Sequence, residues 1–113
     1  MKIDNLDPLP VKKVQFKLAF MMHVPRESGC YVLTAFDGTI LYIGLALKLN
    51  IRFKQHVDSL GKVKPTGDGK AVWFYYLGYN EKNLPKLERT WLNHFQSYEG
   101  KLPILNLINS PLG

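Results

Sequence analysis

This sequence predicts a mixed α/β domain of the α+β kind, and three observations predict it. Residues 29–44 hold two β-prone runs around Asp37-Gly38, apolar residues recur at helical spacing from Leu49 and again from Leu84, and 71–77 is an aromatic and β-branched run lying between them. The coarse order is strand, strand, helix, strand, helix, tail. With 113 residues, 46% hydrophobic and 12% aromatic, the chain has the material for one buried core and too little length for two. No apolar run approaches the ~20 residues that span a bilayer. The amino terminus lacks the basic, apolar, small-residue succession of a secretory signal. Cys30, the one cysteine, allows neither an internal disulfide nor a cysteine-rich zinc site. The expectation is a soluble protein of a reducing cytoplasm, without repeats, low-complexity tracts or membrane contact.

Taken in order, residues 1–27 read as an extension packed on a core formed by 28–113. Within it Val14, Phe16, Leu18 and Phe20 alternate with Gln15, Lys17 and Ala19, the period of a half-buried strand. Val11, Val14, Leu18 and Met21 fit a helical stripe nearly as well, and the strand is preferred. Asp37-Gly38 between β-prone runs signals a hairpin, because a type I′ turn needs positive φ at both central residues. With those two as the loop, Phe36 faces Thr39, Leu33 faces Tyr42 and Tyr31 faces Gly44, so Tyr31 and Tyr42 converge on one face as diagonal neighbours.

Leu49, Phe53, Val57 and Leu60 then mark one amphipathic helix, with Lys48, Arg52 and His56 as a cationic ridge on another face. Residues 61–69 read as an exposed loop, and 71–77 as a buried strand joining the hairpin. Asn83, as a cap, and Pro85 in the first turn start a second helix, whose stripe Leu84, Leu87, Trp91 and Phe95 runs toward Gly100. Glu88 lies one position from that stripe. The last segment, apolar around Asn106, reads as a short helix or an extended tail.

Fifteen Lys and Arg against nine Asp and Glu leave a formal charge of +6. Much of the surplus falls at Lys48, Arg52, Lys54, Lys62, Lys64 and Lys70, opposed locally only by Asp58 and Asp68. Such a stretch attracts polyanions, with nucleic acid or an anionic lipid surface as the partner classes.

The ordered set Gly29-Cys30-Tyr31, Tyr42-Ile43-Gly44, Arg52, His56, Leu87-Glu88 and Pro103-Ile104-Leu105-Asn106 resembles the GIY-YIG nuclease domain. The resemblance covers about residues 28–107. Either tripeptide alone is weak; both at hairpin spacing, followed by Arg, Glu and Asn in order, make it specific. It implies a central three-stranded antiparallel sheet flanked by helices, here with an extra amino-terminal strand, and hydrolysis of a DNA phosphodiester with one Mg²⁺ or Mn²⁺. It also implies roles: Glu88 as sole protein ligand of the metal, Tyr31 beside the attacking water, Tyr42 its companion, Arg52 the phosphate clamp, Asn106 a support, and His56 where many members have a His. Cys30 replaces the commoner Ile, and Leu47-Lys48 replaces a polar, Asn-containing turn; neither removes a catalytic group.

The chemistry suits the residue types. An Arg fork binds an anionic phosphate, and a single carboxylate completed by waters is a usual seat for Mg²⁺. A phenol with a pKa of ~10 cannot take a proton at neutral pH unaided, and His56, Lys48, Arg52 or the metal are the groups that would help it. Singly, each residue has a plainer role in packing or at the surface. His23 and His94 read as structural, Cys30 as a small core hydrophobe, and Trp73, Phe74, Tyr75 and Tyr76 as strand residues rather than base-stacking platforms. A non-catalytic nucleic-acid-binding module, or an interaction subunit of a repair or recombination assembly, is the alternative on the same fold. Since family members often carry a separate recognition domain, specificity would fall to the amino-terminal segment, the basic loop or a partner protein. A double-strand break would need a homodimer or two sequential cuts.

Overall fold

The computed structural model describes residues 1–109. Four strands, β1 (Lys12–Gln15), β2 (Gly29–Thr34), β3 (Ile40–Ala46) and β4 (Trp73–Gly78), form one antiparallel sheet in the order β1-β4-β2-β3. The expected extra strand is therefore present and pairs with β4. It is shorter than the alternation suggested. After Gln15 the chain turns into a 3₁₀ segment, Leu18–His23, which leaves Leu18 half exposed while Phe16 stays buried.

Strand β2 lies between β4 and β3, and all six of its residues are buried. Period-two alternation sends them to two cores. Tyr31 and Leu33 face a cluster with Phe53, Phe74 and Leu49, whereas Cys30 and Val32 face one with Leu84, Leu87, Trp91 and Phe95. The first cluster is closed by α1 (Leu49–Val57), the second by α3 (Leu84–Glu99). Burying each large apolar side chain contributes ~1.5–3 kcal/mol, so both faces of β2 are anchored. The amino-terminal residues cover the α3 side: Ile3 and Leu6 join that cluster, Trp91 Nε1 donates to the Pro8 carbonyl at 3.0 Å, and the Met1 amino group pairs with Glu99.

The hairpin departs from the expected two-residue turn. Only Gly38 has positive φ (90°), and Ala35, not Phe36, faces Thr39 through an Ala35 N to Thr39 O bond of 2.9 Å. The cause is the Asp37 carboxylate, which accepts from Thr39 N and Oγ1 and from Lys2 Nζ, holding Asp37 at negative φ in a three-residue loop. Thr34 then pairs with Ile40, and a bulge restores Leu33 opposite Tyr42 and Tyr31 opposite Gly44. The two offsets cancel before the tyrosines.

Helix α1 stops at Val57, and the expected stripe does not reach Leu60, which is 82% exposed. The chain turns at Asp58, and the Ser59 carbonyl accepts from Lys62 N and Val63 N to start a separate short helix, α2 (Leu60–Val63), whose Val63 makes the core contact. Residues 61–69 are thus not wholly an exposed loop: Lys62 is only 4% exposed. Asn80 Oδ1, rather than Asn83, supplies the capping bond ahead of α3, accepting from Lys82 N in a preceding 3₁₀ turn. Gly100, at φ 76°, closes α3. The final segment is helical, α4 (Ile104–Asn109).

Candidate active site

Both glycines of the two tripeptides are explained by close approach. At Gly44 an added Cβ would lie 2.6 Å from Tyr31 Oη, so the phenol lies across the glycine of the neighbouring strand. At Gly29 it would collide with the Leu77 carbonyl oxygen of β4. Tyr31 is fully buried, stacked on Phe74 with centroids 5.0 Å apart, and its ring is 6.0 Å from that of Tyr42.

From the facing side α1 brings two residues separated by one turn. His56 is 5% exposed, and its Nε2 is 2.5 Å from Tyr31 Oη. It belongs to the buried site and not to a solvated cationic ridge. Arg52 is half-buried, with Nη1 donating to the Leu45 carbonyl at 3.4 Å. Its charge acts on Tyr31, Tyr42, His56, Lys62 and Glu88, which makes it the electrostatic centre of the group.

Burial, then the Tyr42 phenol, push the Tyr31 hydroxyl well above its usual range, against the opposing pull of Arg52. Burial also raises Tyr42. Burial, then Lys62 and Arg52, bring His56 down to about 3. A neutral phenol therefore meets a neutral imidazole at pH 7, and in the Nδ1–H tautomer the hydroxyl donates to Nε2.

Glu88 arrives from α3, on the opposite face of the sheet. Its charge is felt by Tyr42 on the edge strand β3. Burial raises its carboxyl and Arg52 lowers it. No hydrogen bond or ion pair to a described residue satisfies this half-buried carboxylate, a state that a bound cation would relieve. No group of three or more His, Cys, Asp or Glu side chains among the described residues makes a metal cluster. The donor set fits an ion that keeps most of its waters, as Mg²⁺ does.

Asn106 acts on the backbone. Its Oδ1 accepts from Ile43 N and its Nδ2 donates to Ile43 O, both at 2.9 Å, so it pairs the open edge of β3 between Tyr42 and Gly44.

Lys62 is the residue whose place the sequence did not reveal. Its Nζ sits 4.6 Å above the Tyr42 ring, and burial, then Arg52, lower its pKa. A cation over a phenol face recovers only about 0.5–2 kcal/mol. A lysine in a Gly- and Pro-flanked stretch carries no local mark of burial. Phe74 is an addition to the candidate residues: the strand was legible, but its pairing with β2, which sets the ring against Tyr31, was not.

The remaining lysines are dispersed. Lys48 lines a shallow groove with Ala46, Leu47, Ile51, Arg52 and Gln55. Lys54 is paired with Asp58 at 2.7 Å, and Lys64 and Lys70 are exposed. Cys30 is fully buried, with burial and Glu88 pushing its thiol up to about 12, and behaves as a core residue. No described helix is long and apolar enough to cross a membrane.

A tyrosine pair beside a glycine, an arginine and a histidine on one helix and a carboxylate on another are thus the titratable and charged groups that the sheet and its flanking helices bring into electrostatic reach of one another. The model of the GIY-YIG catalytic domain matches residues 27–101, and the chain belongs to that family. Membership implies nuclease activity. No curated protein matches the chain.

Proposed function

We propose that this protein is a metal-dependent endonuclease that hydrolyses DNA phosphodiester bonds with Tyr31, Tyr42, Arg52, His56, Glu88 and Asn106. The observation that carries the reading is the short Tyr31 Oη to His56 Nε2 contact beside an arginine that, among the described residues, has no carboxylate partner. A phenol that holds its proton tightly becomes a usable base when a neutral imidazole takes that proton as the phenol accepts one from water. His56 is neutral at physiological pH in the free protein, where burial, Lys62 and Arg52 bring it down to about 3, and a phosphate bound against those two cations would raise its affinity for the proton.

Arg52 grips the phosphate, forming charge-assisted hydrogen bonds that strengthen as charge builds on the phosphoryl oxygens. The oxygen of water attacks phosphorus, the bond to the leaving oxygen breaks, and the proton passes from water to Tyr31 while the Tyr31 proton goes to His56. Tyr42 packs against Tyr31 and completes the wall of the site. Glu88 would hold the divalent ion, Mg²⁺ or Mn²⁺, which when bound neutralises charge developing on the leaving oxygen. Asn106 keeps β3 in place. Lys48, Lys54, Lys64 and Lys70 would contact the flanking backbone without reading bases.

The test is nicking of supercoiled plasmid with Mg²⁺ or Mn²⁺. Wild type nicks; Glu88→Ala and an EDTA control lose at least about a hundredfold in rate, the scale of a principal electrostatic contribution. Equal inactivity of wild type and variant on plasmid and on branched substrates, with DNA binding retained, would instead make this a binding module.

A further inference from the structure

We propose that Lys62 is a second phosphate-binding cation of the active site, closing on a nonbridging oxygen of the DNA phosphodiester from the Tyr42 side while Arg52 holds it from α1. The inference rests on the nuclease reading above and adds to it a residue outside the motif. Lys62 is nine-tenths buried or more, yet among the described residues no carboxylate, carbonyl or hydroxyl pairs with its ammonium. The ion pairs of the described residues use Lys2, Lys54 and the Met1 amino group, and leave Lys62 and Arg52 free of a carboxylate. Nζ is held over the Tyr42 ring at 4.6 Å, which fixes its position without neutralising it.

Two like charges brought together with no anion between them oppose each other in the free protein, and Arg52 contributes to lowering the Lys62 pKa. An anion between them removes that opposition, and the phosphodiester is the anion this site meets. The position is built by the fold. Val63 packs α2 against the core, and the Lys62 N to Ser59 O bond sets the turn from which the Lys62 side chain reaches Tyr42.

Lys62→Met keeps the length of the stem and removes the charge. It should melt no lower than wild type, bind duplex DNA in EDTA more weakly, with the slope of log affinity against log salt reduced by about one, and cleave plasmid at least about tenfold more slowly. Lys62→Arg should restore cleavage to within a few fold, and Lys82→Met, on an exposed turn away from the site, should change neither readout. Lys62→Gln is read in the same way if the methionine variant does not fold. Unchanged binding, slope and rate in a folded charge-free variant would overturn the proposal, as would a loss of activity that merely tracks a loss of folded protein. If wild type binds but does not cleave, a weaker and less salt-dependent Lys62→Met still supports the phosphate contact while the nuclease reading falls.

Discussion

His56 carries the strongest tension between folding and chemistry, because an imidazole that ordinarily titrates near 6.5 is held neutral to about pH 3 by burial and by the cations Lys62 and Arg52. Between those values the unfolded chain binds a proton that the folded chain does not, so this group's contribution to stability falls as pH drops from about 6.5 to 3. The slope is about 1.4 kcal/mol per pH unit. Melting temperatures of wild type and His56→Gln across pH 7 to 4 should converge as pH falls, wild type losing more. Parallel lines would mean that His56 is already charged in the folded protein. Its partner phenol is held by shape as well as charge: Gly44 leaves the space that the Tyr31 ring crosses.

At the scale of elements, β3 is an edge strand carrying Tyr42 and Gly44, and an edge needs its outward backbone groups satisfied. Asn106 from α4 does this at Ile43 with two bonds, acting as one rung of an absent neighbour. Asn106→Ala should cost about 1–2 kcal/mol by denaturant unfolding, and lower nicking more than the lost stability explains, since Tyr42 flanks the freed peptide. A variant as stable and active as wild type would remove Asn106 from the site. The element boundaries are also where the sequence was least readable. Leu60 keeps helical spacing with Val57, but the break at Asp58 and Ser59 hands the core position to Val63. The hairpin shows the same limit, because the Asp37 side chain bonds locally and selects a longer loop than the dipeptide alone suggests.

For the whole molecule, the proposed site has one arginine and one carboxylate, and on that reading it would cut one strand at a time. A plasmid time course should show nicked circles accumulating before linear product, at a protein concentration where the chain is monomeric by sedimentation. Linear product with no nicked precursor would require two sites acting together, as in a homodimer. Two cores on opposite faces of one sheet place the candidate residues: α1 supplies Arg52 and His56 from one side, α3 supplies Glu88 from the other, and Arg52 acts electrostatically on the Glu88 carboxyl.

What the sequence determined by itself is whatever local periodicity encodes. The paired tyrosines, the glycine opposite Tyr31 and the Leu84–Phe95 stripe follow from spacing along one hairpin or one helix, whereas Arg52, Glu88 and Asn106, on three separate helices, were marked by the family resemblance and not by periodicity. Tertiary structure decided the meetings between segments distant in the chain: His56 with Tyr31, 25 residues apart, Asn106 with Ile43, 63 apart, and Lys62 over Tyr42. No periodic pattern records them, because each depends on how the packed helices and the sheet approach one another, and a lysine with a packed stem and one wholly in solvent are the same letter until that packing is complete.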